Sequence, residues 1–169
     1  MEVQEQEVFD MFRPMAKPRA HQQIPEEECI RILKEQKRGI LCVLGDDDYP
    51  YGTPTNHFYS EEDGKIYFHS NKKGHKVDAM KKHDKVCFVC YDEGFVKEGD
   101  WALNIKSVVV FGRVEFIDDT DTIVRIMTDL SHKFTDDEEY IAKEMKTAAG
   151  TLLFAIKPEH MTGKLVNES

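Results

Sequence analysis

Roughly six runs of β-branched and aromatic residues, spaced by short turn-forming segments, constrain this chain more than any other feature. "GILCVLG" leads through the turn-rich "DDDYPYG" into "TPTNHFYS", and the turn "EEDG" leads from there into "KIYFHS". That is hairpin spacing, so these strands should form an antiparallel meander. "KVCFVCYDEG" and "LNIKSVVVFGRVEFI" are longer, with a polar loop containing Trp101 between them, and "GTLLFAIK" supplies a last strand before Pro158. The fold expected is α+β and mainly β, an antiparallel sheet of about six strands with peripheral helices. With one buried face, such a sheet closes into a small barrel more readily than it stays flat. A length of 169 residues suits one domain. We place it at 24–169, after an N-terminal arm over 1–23 in which Pro14 and Pro18 break any regular period.

Helices are expected between the strands. In "IPEEECIRILKEQKRG", Pro25 suits a first turn, Glu26 to Glu28 its positive end, Lys37 and Arg38 its last turn, and Gly39 its stop. In "DDTDTIVRIMTDLSHKF", Ile123, Ile126, Met127 and Leu130 share one helical face. "TDDEEYIAKEM" opens with Thr135 and Glu138 at capping-box spacing.

A formal net charge of -9 argues against general binding to nucleic acid or to an anionic membrane surface. No apolar run approaches the roughly 20 residues of a membrane helix, and "MEVQEQEVFD" is acidic where a signal peptide is basic. The expected location is the cytoplasm. Four cysteines, Cys29, Cys42, Cys87 and Cys90, include a C-x-x-C spacing at Cys87 and Cys90. On a strand, positions three apart face opposite sides, so these two are not expected to share a metal or act as one dithiol. No metal site is expected.

The stretch "IYFHSNKKGHKVDAM" contains a local contradiction. It reads as a strand over 66–69, a polar loop over 70–74 and a short helix from His75 to about Lys82. A helix N-terminus carries partial positive charge and free N–H groups, so Lys72, Lys73, His75 and Lys76 sit at its wrong end. A bound anion reverses that sign. A phosphate needs converging donors, and the Ser70 hydroxyl, the unobstructed Gly74 amide, the first helical N–H groups and Lys76 are the candidates. Lys72 and Lys73 read as solvated turn residues. For Lys76, inside the first turn, a ligand role and simple solvation both stand open.

The segment "HFYSEEDGKIYFHSNKKGHKVDAMKKHDKVCF", with the later "IKSVVVFGRVEFI", resembles the FMN-binding split β-barrel superfamily of pyridoxamine-phosphate-oxidase-related proteins, and most of all its nitroimidazole-resistance (5-nitroimidazole reductase) branch. The similarity runs from about His21 to Phe116, and "YFHS", a short loop and "GHKVD" are its most specific part. The resemblance implies an antiparallel split barrel that binds FMN, with the ribityl phosphate held by His69, Ser70, Gly74, His75 and Lys76. It further implies that Thr53, Pro54, Thr55 and Asn56 line the isoalloxazine and that Ser107 and Val108 face the cofactor. A homodimer with FMN in the groove between two barrels is also implied. For Val109 and Phe111 on the long strand, ordinary core packing is an equal reading. The C-terminus, "FAIKPEHMTGKLVNES", departs from true pyridoxamine-phosphate oxidases, whose substrate region there uses Arg and Trp, so that activity is not expected.

Flavin carries out electron transfer itself, so no catalytic triad is required and none is found. His57 and His69 lie on strands near the expected flavin and are candidates to donate a proton to a reduced substrate, with a hydrogen-bonded rim position as the other reading. The leading expectation is an FMN-dependent oxidoreductase, nitroreductase-like, passing electrons from NAD(P)H to a small aromatic acceptor. The alternatives are a flavin-binding module without turnover and a haem-binding split barrel that uses His57, His69 or His75 as axial ligand.

Overall fold

The computed structural model describes residues 12–167, so 1–11 of the expected arm lie outside it. Its sheet contains β1 (Arg38–Leu44), β2 (Pro50–Asn56), β3 (Phe58–Tyr59), β4 (Ile66–Ser70), β5 (Lys85–Tyr91), β6 (Phe95–Val96), β7 (Leu103–Ile117) and β8 (Leu152–Asn167). The order is β2-β1-β5-β7-β8-β4-β3, with β6 paired to β7 beside this path. β2 and β3 therefore end the path at its two edges, yet only His57 separates them in sequence. Covalent chain joins the edges where a ladder would otherwise run. The result is an antiparallel barrel split along one seam.

"TPTNHFYS" was expected to be one strand and is two. Up to Asn56 it pairs with β1, and from Phe58 it pairs with β4. The break falls at His57, which is fully buried. Its Nε2 lies 2.7 Å from the Leu33 carbonyl oxygen, and its own carbonyl accepts from the Lys133 ammonium at 2.9 Å. A backbone group satisfied by a side chain needs no ladder partner. This division and β6 raise the count from the expected six or so strands to eight. β8 also runs through Pro158, where a stop was expected. Phe111 faces His160 but Gly112 faces Pro158, so Glu159 is the extra residue of a bulge, a position where a strand accepts proline.

Alternation along the strands builds the core. Leu41, Val43, Ile66, Phe68, Phe88, Val108, Val110, Phe154 and Ile156 point into the barrel, with Phe68 lying 5.2 Å from both Phe88 and Phe154. Helix α1 (Glu26–Glu35) packs across β3, β7 and β8, burying Cys29, Ile32 and Leu33 at i, i+3 and i+4. It stops at Glu35, before the expected end at Gly39. Gly39 instead belongs to β1, where a Cβ would lie 2.3 Å from Phe88 Cζ, so the glycine makes room for that ring.

Three further helices follow: α2 (His75–Lys82), α3 (Thr120–His132) and α4 (Glu138–Met145). α3 buries Ile126 and Met127 beside Tyr67, Leu153 and Ala155 in a second core. Tyr67 alternates with Ile66 and Phe68 of the barrel interior, so this second core covers the outer face of β4 and β8. The expected capping box on α4 is corrected: Asp137 is the N-cap, accepting from the Tyr140 amide, while Thr135 Oγ1 accepts from the Asp137 amide at 3.1 Å. Cys87 faces outward, half-buried, and Cys90 lies fully buried inside, as alternation requires. Among the described residues no helix is long and apolar enough to cross a membrane.

Burial first, and then the nearby Lys133 charge, pulls the His57 imidazole down to about 3. Between pH 6.5, its ordinary value, and that lowered value, the unfolded chain takes up a proton that the folded chain refuses. Stability therefore falls as pH falls through this window. From pH 7 to pH 5, His57 should remove about 2 kcal/mol. Denaturant titrations of wild type and His57→Leu at both pH values should show that this share of acid lability is missing from the variant, whatever its stability at pH 7. Equal acid losses in the two proteins would contradict this role.

Candidate functional site

The seam opens into a cleft of about 520 Å³, the size of a pocket for a small organic ligand. One wall is β2, through Thr53, Pro54, Thr55 and Asn56. The other is the end of β4, the loop after it and the start of α2, through His69, Ser70, Gly74, His75 and Lys76. Tyr51 also lines the cleft, its ring 4.2 Å from that of His75. Sequence reasoning missed it, although counting back by two from Thr53 along β2 places Tyr51 on the same face.

Gly74 shapes the turn into α2. Its φ of 138° lies in a region that residues with a Cβ rarely adopt, and nothing lies within 4 Å of where a Cβ would sit. It is the N-cap of α2, and no side chain caps that helix. The first intrahelical bond runs from the Asp78 amide to the Gly74 carbonyl at 3.0 Å. The amides of His75, Lys76 and Val77 are thus left at the cleft without intrahelical acceptors. The Ser70 hydroxyl donates to the Asn71 carbonyl at 2.7 Å, which leaves its oxygen lone pairs available.

The charge in the cleft is unbalanced. Lys76 is half-buried, and among the described residues no carboxylate or other acceptor pairs with it. Burial accordingly lowers its ammonium below the usual lysine range. His69, also half-buried, is lowered first by burial and then by the Lys76 charge, with Glu144 opposing. A lysine and an imidazole whose charged forms the same cleft disfavours, beside uncapped helix amides, form a site that an anion would stabilise.

The imidazole of His75 is directed elsewhere. Its Nε2 accepts from the Asp46 amide at 3.3 Å and lies 3.8 Å from Asp46 Oδ2, while Lys82 reaches the same carboxylate at 3.6 Å. What His75 offers the cleft is its backbone N–H. On β2, Asn56 Oδ1 accepts from Nε of Arg38 on β1 at 2.9 Å, and Thr55 Oγ1 donates to the Thr53 carbonyl at 3.2 Å.

Three residues singled out in the sequence lie outside this cleft. His57 is core, not rim. Val108 points its fully buried side chain into the barrel. Ser107 opens onto a separate groove of about 290 Å³ with Arg13, Arg19, Thr162 and Lys164.

Fold and cleft together define a split-barrel protein with a cationic cleft along its seam. The chain belongs to the pyridoxamine 5'-phosphate oxidase family, whose model matches residues 25–165. Among solved structures, it is similar to a candidate 5-nitroimidazole antibiotic resistance protein from Bacteroides thetaiotaomicron (18% identity, 86% of this chain and 87% of that one, TM-score 0.72). It is also similar to a FAD-binding protein from Mesorhizobium loti (23% identity, 85% and 96%, TM-score 0.61). A third is the FAD and haem binding protein from Mycobacterium smegmatis (17% identity, 88% and 74%, TM-score 0.68). At these identities the likeness is one of fold. Comparison with curated proteins gives no match.

Gly74→Ala forces a Cβ into a disfavoured backbone region and should destabilise the protein by about 1–3 kcal/mol. Gly150→Ala, at an ordinary φ and with open space around it, should be close to neutral. Urea titration of both variants checks this, and equal effects would mean that Gly74 is not conformationally required.

Proposed function

We propose that the protein is an FMN-dependent oxidoreductase that passes electrons from NAD(P)H to a small aromatic or nitro-aromatic acceptor. The observation that carries the reading is Lys76, a half-buried cation that meets no counter-charge among the described residues, at an uncapped helix start. Family membership supports a flavin, as do the FAD-binding proteins among the structural neighbours. The terminal phosphate of FMN fits this donor set: the amides of His75 to Val77 and the Lys76 ammonium, joined by the Ser70 hydroxyl once it turns away from the Asn71 carbonyl. The ring would lie along β2 against Thr53 to Asn56.

Bound flavin supplies the electron transfer itself. The chain's own residues then bind the phosphate, orient the ring and shield one side of it from water. His69 sits in the cleft wall, and we assign it to delivering a proton to the acceptor, which its lowered imidazole releases more readily than an ordinary histidine. The cleft is open along the seam, and a homodimer with FMN between two barrels would close it, bringing Ser107 and the Val108 backbone of a second chain toward the ring. Four free thiols favour a reducing compartment, the cytoplasm. The haem reading is left with His69 alone as an axial candidate, because His57 is core and His75 is turned to Asp46.

Lys76→Ala should weaken FMN by roughly tenfold to a hundredfold, as removal of a charge-assisted phosphate contact does. Riboflavin, which lacks the phosphate, should barely distinguish the variant from wild type. Fluorescence titration of apo-protein with both flavins measures this, and equal losses for the two would refute phosphate binding at Lys76. NAD(P)H oxidation by the purified, FMN-loaded protein separates the enzyme from a binding module, and light scattering reads the dimer.

A further inference from the structure

Cys42 and Cys87 are direct partners across the β1–β5 ladder, and they form its last rung. Their sequence neighbours Leu41, Val43, Val86 and Phe88 belong to the barrel core. Alternation therefore turns both thiols to the outer face, where each residue is half-buried rather than enclosed. Directly opposed residues in an antiparallel pair have Cα atoms about 4.5–5.5 Å apart, within the roughly 4.4–6.8 Å that a disulfide spans.

The surroundings leave the pair approachable from one side. The next residue along this row, on β2, is Gly52, which is exposed. A Cβ there would come within 3.4 Å of Cys42 Sγ, so the glycine leaves that sulfur without a covering side chain. On the other side Phe111 stands opposite Cys87. The pair is the last rung between β1 and β5, while β1 stays paired to β2 as far as Leu44 and β5 to β7 from Lys85, which holds the two residues in register.

We propose that Cys42 and Cys87 are a redox site, a cross-strand dithiol on the outer face of the barrel that low-molecular-weight disulfides oxidise to an intrachain disulfide. One thiol, deprotonated, attacks a sulfur of the reagent and expels one small thiol, leaving a mixed disulfide on the protein. The second thiol then attacks the protein-side sulfur and expels the other small thiol. Two electrons pass from the protein dithiol to the reagent, and the two protein protons end on the two released thiols. A small dithiol reverses the reaction. Burial, and next the adjacent Cys42, push the Cys87 thiol up to about 11, which keeps that thiol protonated at rest and slows its part in closure. The site is separate from the cofactor cleft and does not rest on that assignment.

The test incubates native full-length protein with oxidised glutathione, blocks remaining thiols with an alkylating agent under denaturing conditions, and maps the peptides by mass spectrometry. Wild type should show a stoichiometric Cys42–Cys87 disulfide within one chain and no retained glutathione, while the buried Cys29 and Cys90 are recovered alkylated. Cys42→Ser should instead hold glutathione on Cys87, because no second thiol is present to expel it, and Cys90→Ser should behave as wild type. Glutathione retained on wild type, a disulfide that joins two chains, or Cys42 and Cys87 both recovered alkylated after oxidation of an exposed control thiol to completion would each overturn the proposal.

Discussion

The position of His57 is the constraint on which the rest of this structure depends. The sheet path begins at β2 and ends at β3, and one residue connects them. That residue is tied by its ring to the Leu33 carbonyl of α1 and by its carbonyl to Lys133, just beyond α3. Lys133 reaches Leu33 as well, at 3.4 Å. Two helices and both edges of the sheet thus meet at one set of hydrogen bonds. The arrangement works against charge, because burial brings the Lys133 ammonium down to about 8 and the His57 imidazole far lower. Donors that cannot readily stay charged are kept there because the buried carbonyls would otherwise lack partners.

The cleft follows from that junction. Where β2 leaves off at His57 and diverges from the end of β4, the barrel wall is interrupted, and the interruption is lined mostly by polar, aromatic and basic side chains rather than by the apolar core. The loop after β4 then turns at Gly74 so that α2 presents its uncapped end to the gap. Position and electrostatics therefore have different origins: the seam supplies the space, and the helix start with Lys76 supplies the sign.

Much of this was legible in the sequence, and the failures have identifiable causes. Runs with strong period-two alternation, such as "KVCFVCY", gave both strand and facing, and Cys87 and Cys90 fell on opposite sides as read. The mislocated cations of "SNKKGHK" pointed to the cleft wall because helix dipole and side-chain charge conflict within one turn. His57 was invisible as a break, since nothing in "TPTNHFYS" differs locally from a continuous strand and its determining partners, Leu33 and Lys133, lie far away in sequence. Gly39 misled for the opposite reason: its role depends on the Phe88 ring, 49 positions later, while locally it looks like a helix stop. Pairing of Cys42 with Cys87 likewise depends on register, which spacing along one strand does not reveal.

The two prolines of β2 have a consequence for the protein's behaviour in a crowded solution. An edge strand with free N–H and C=O groups is a template onto which another chain can add, and a split barrel cannot avoid having one. Proline survives within a sheet only where its nitrogen faces away from the neighbouring strand. Pro50 and Pro54 are an even number of residues apart and so turn the same side outward. Along that free edge only Gly52 and Asn56 remain as donors, too few and too widely spaced to accept a continuous strand. The seam can therefore stay open to a small ligand without inviting β-sheet extension or aggregation through the same gap.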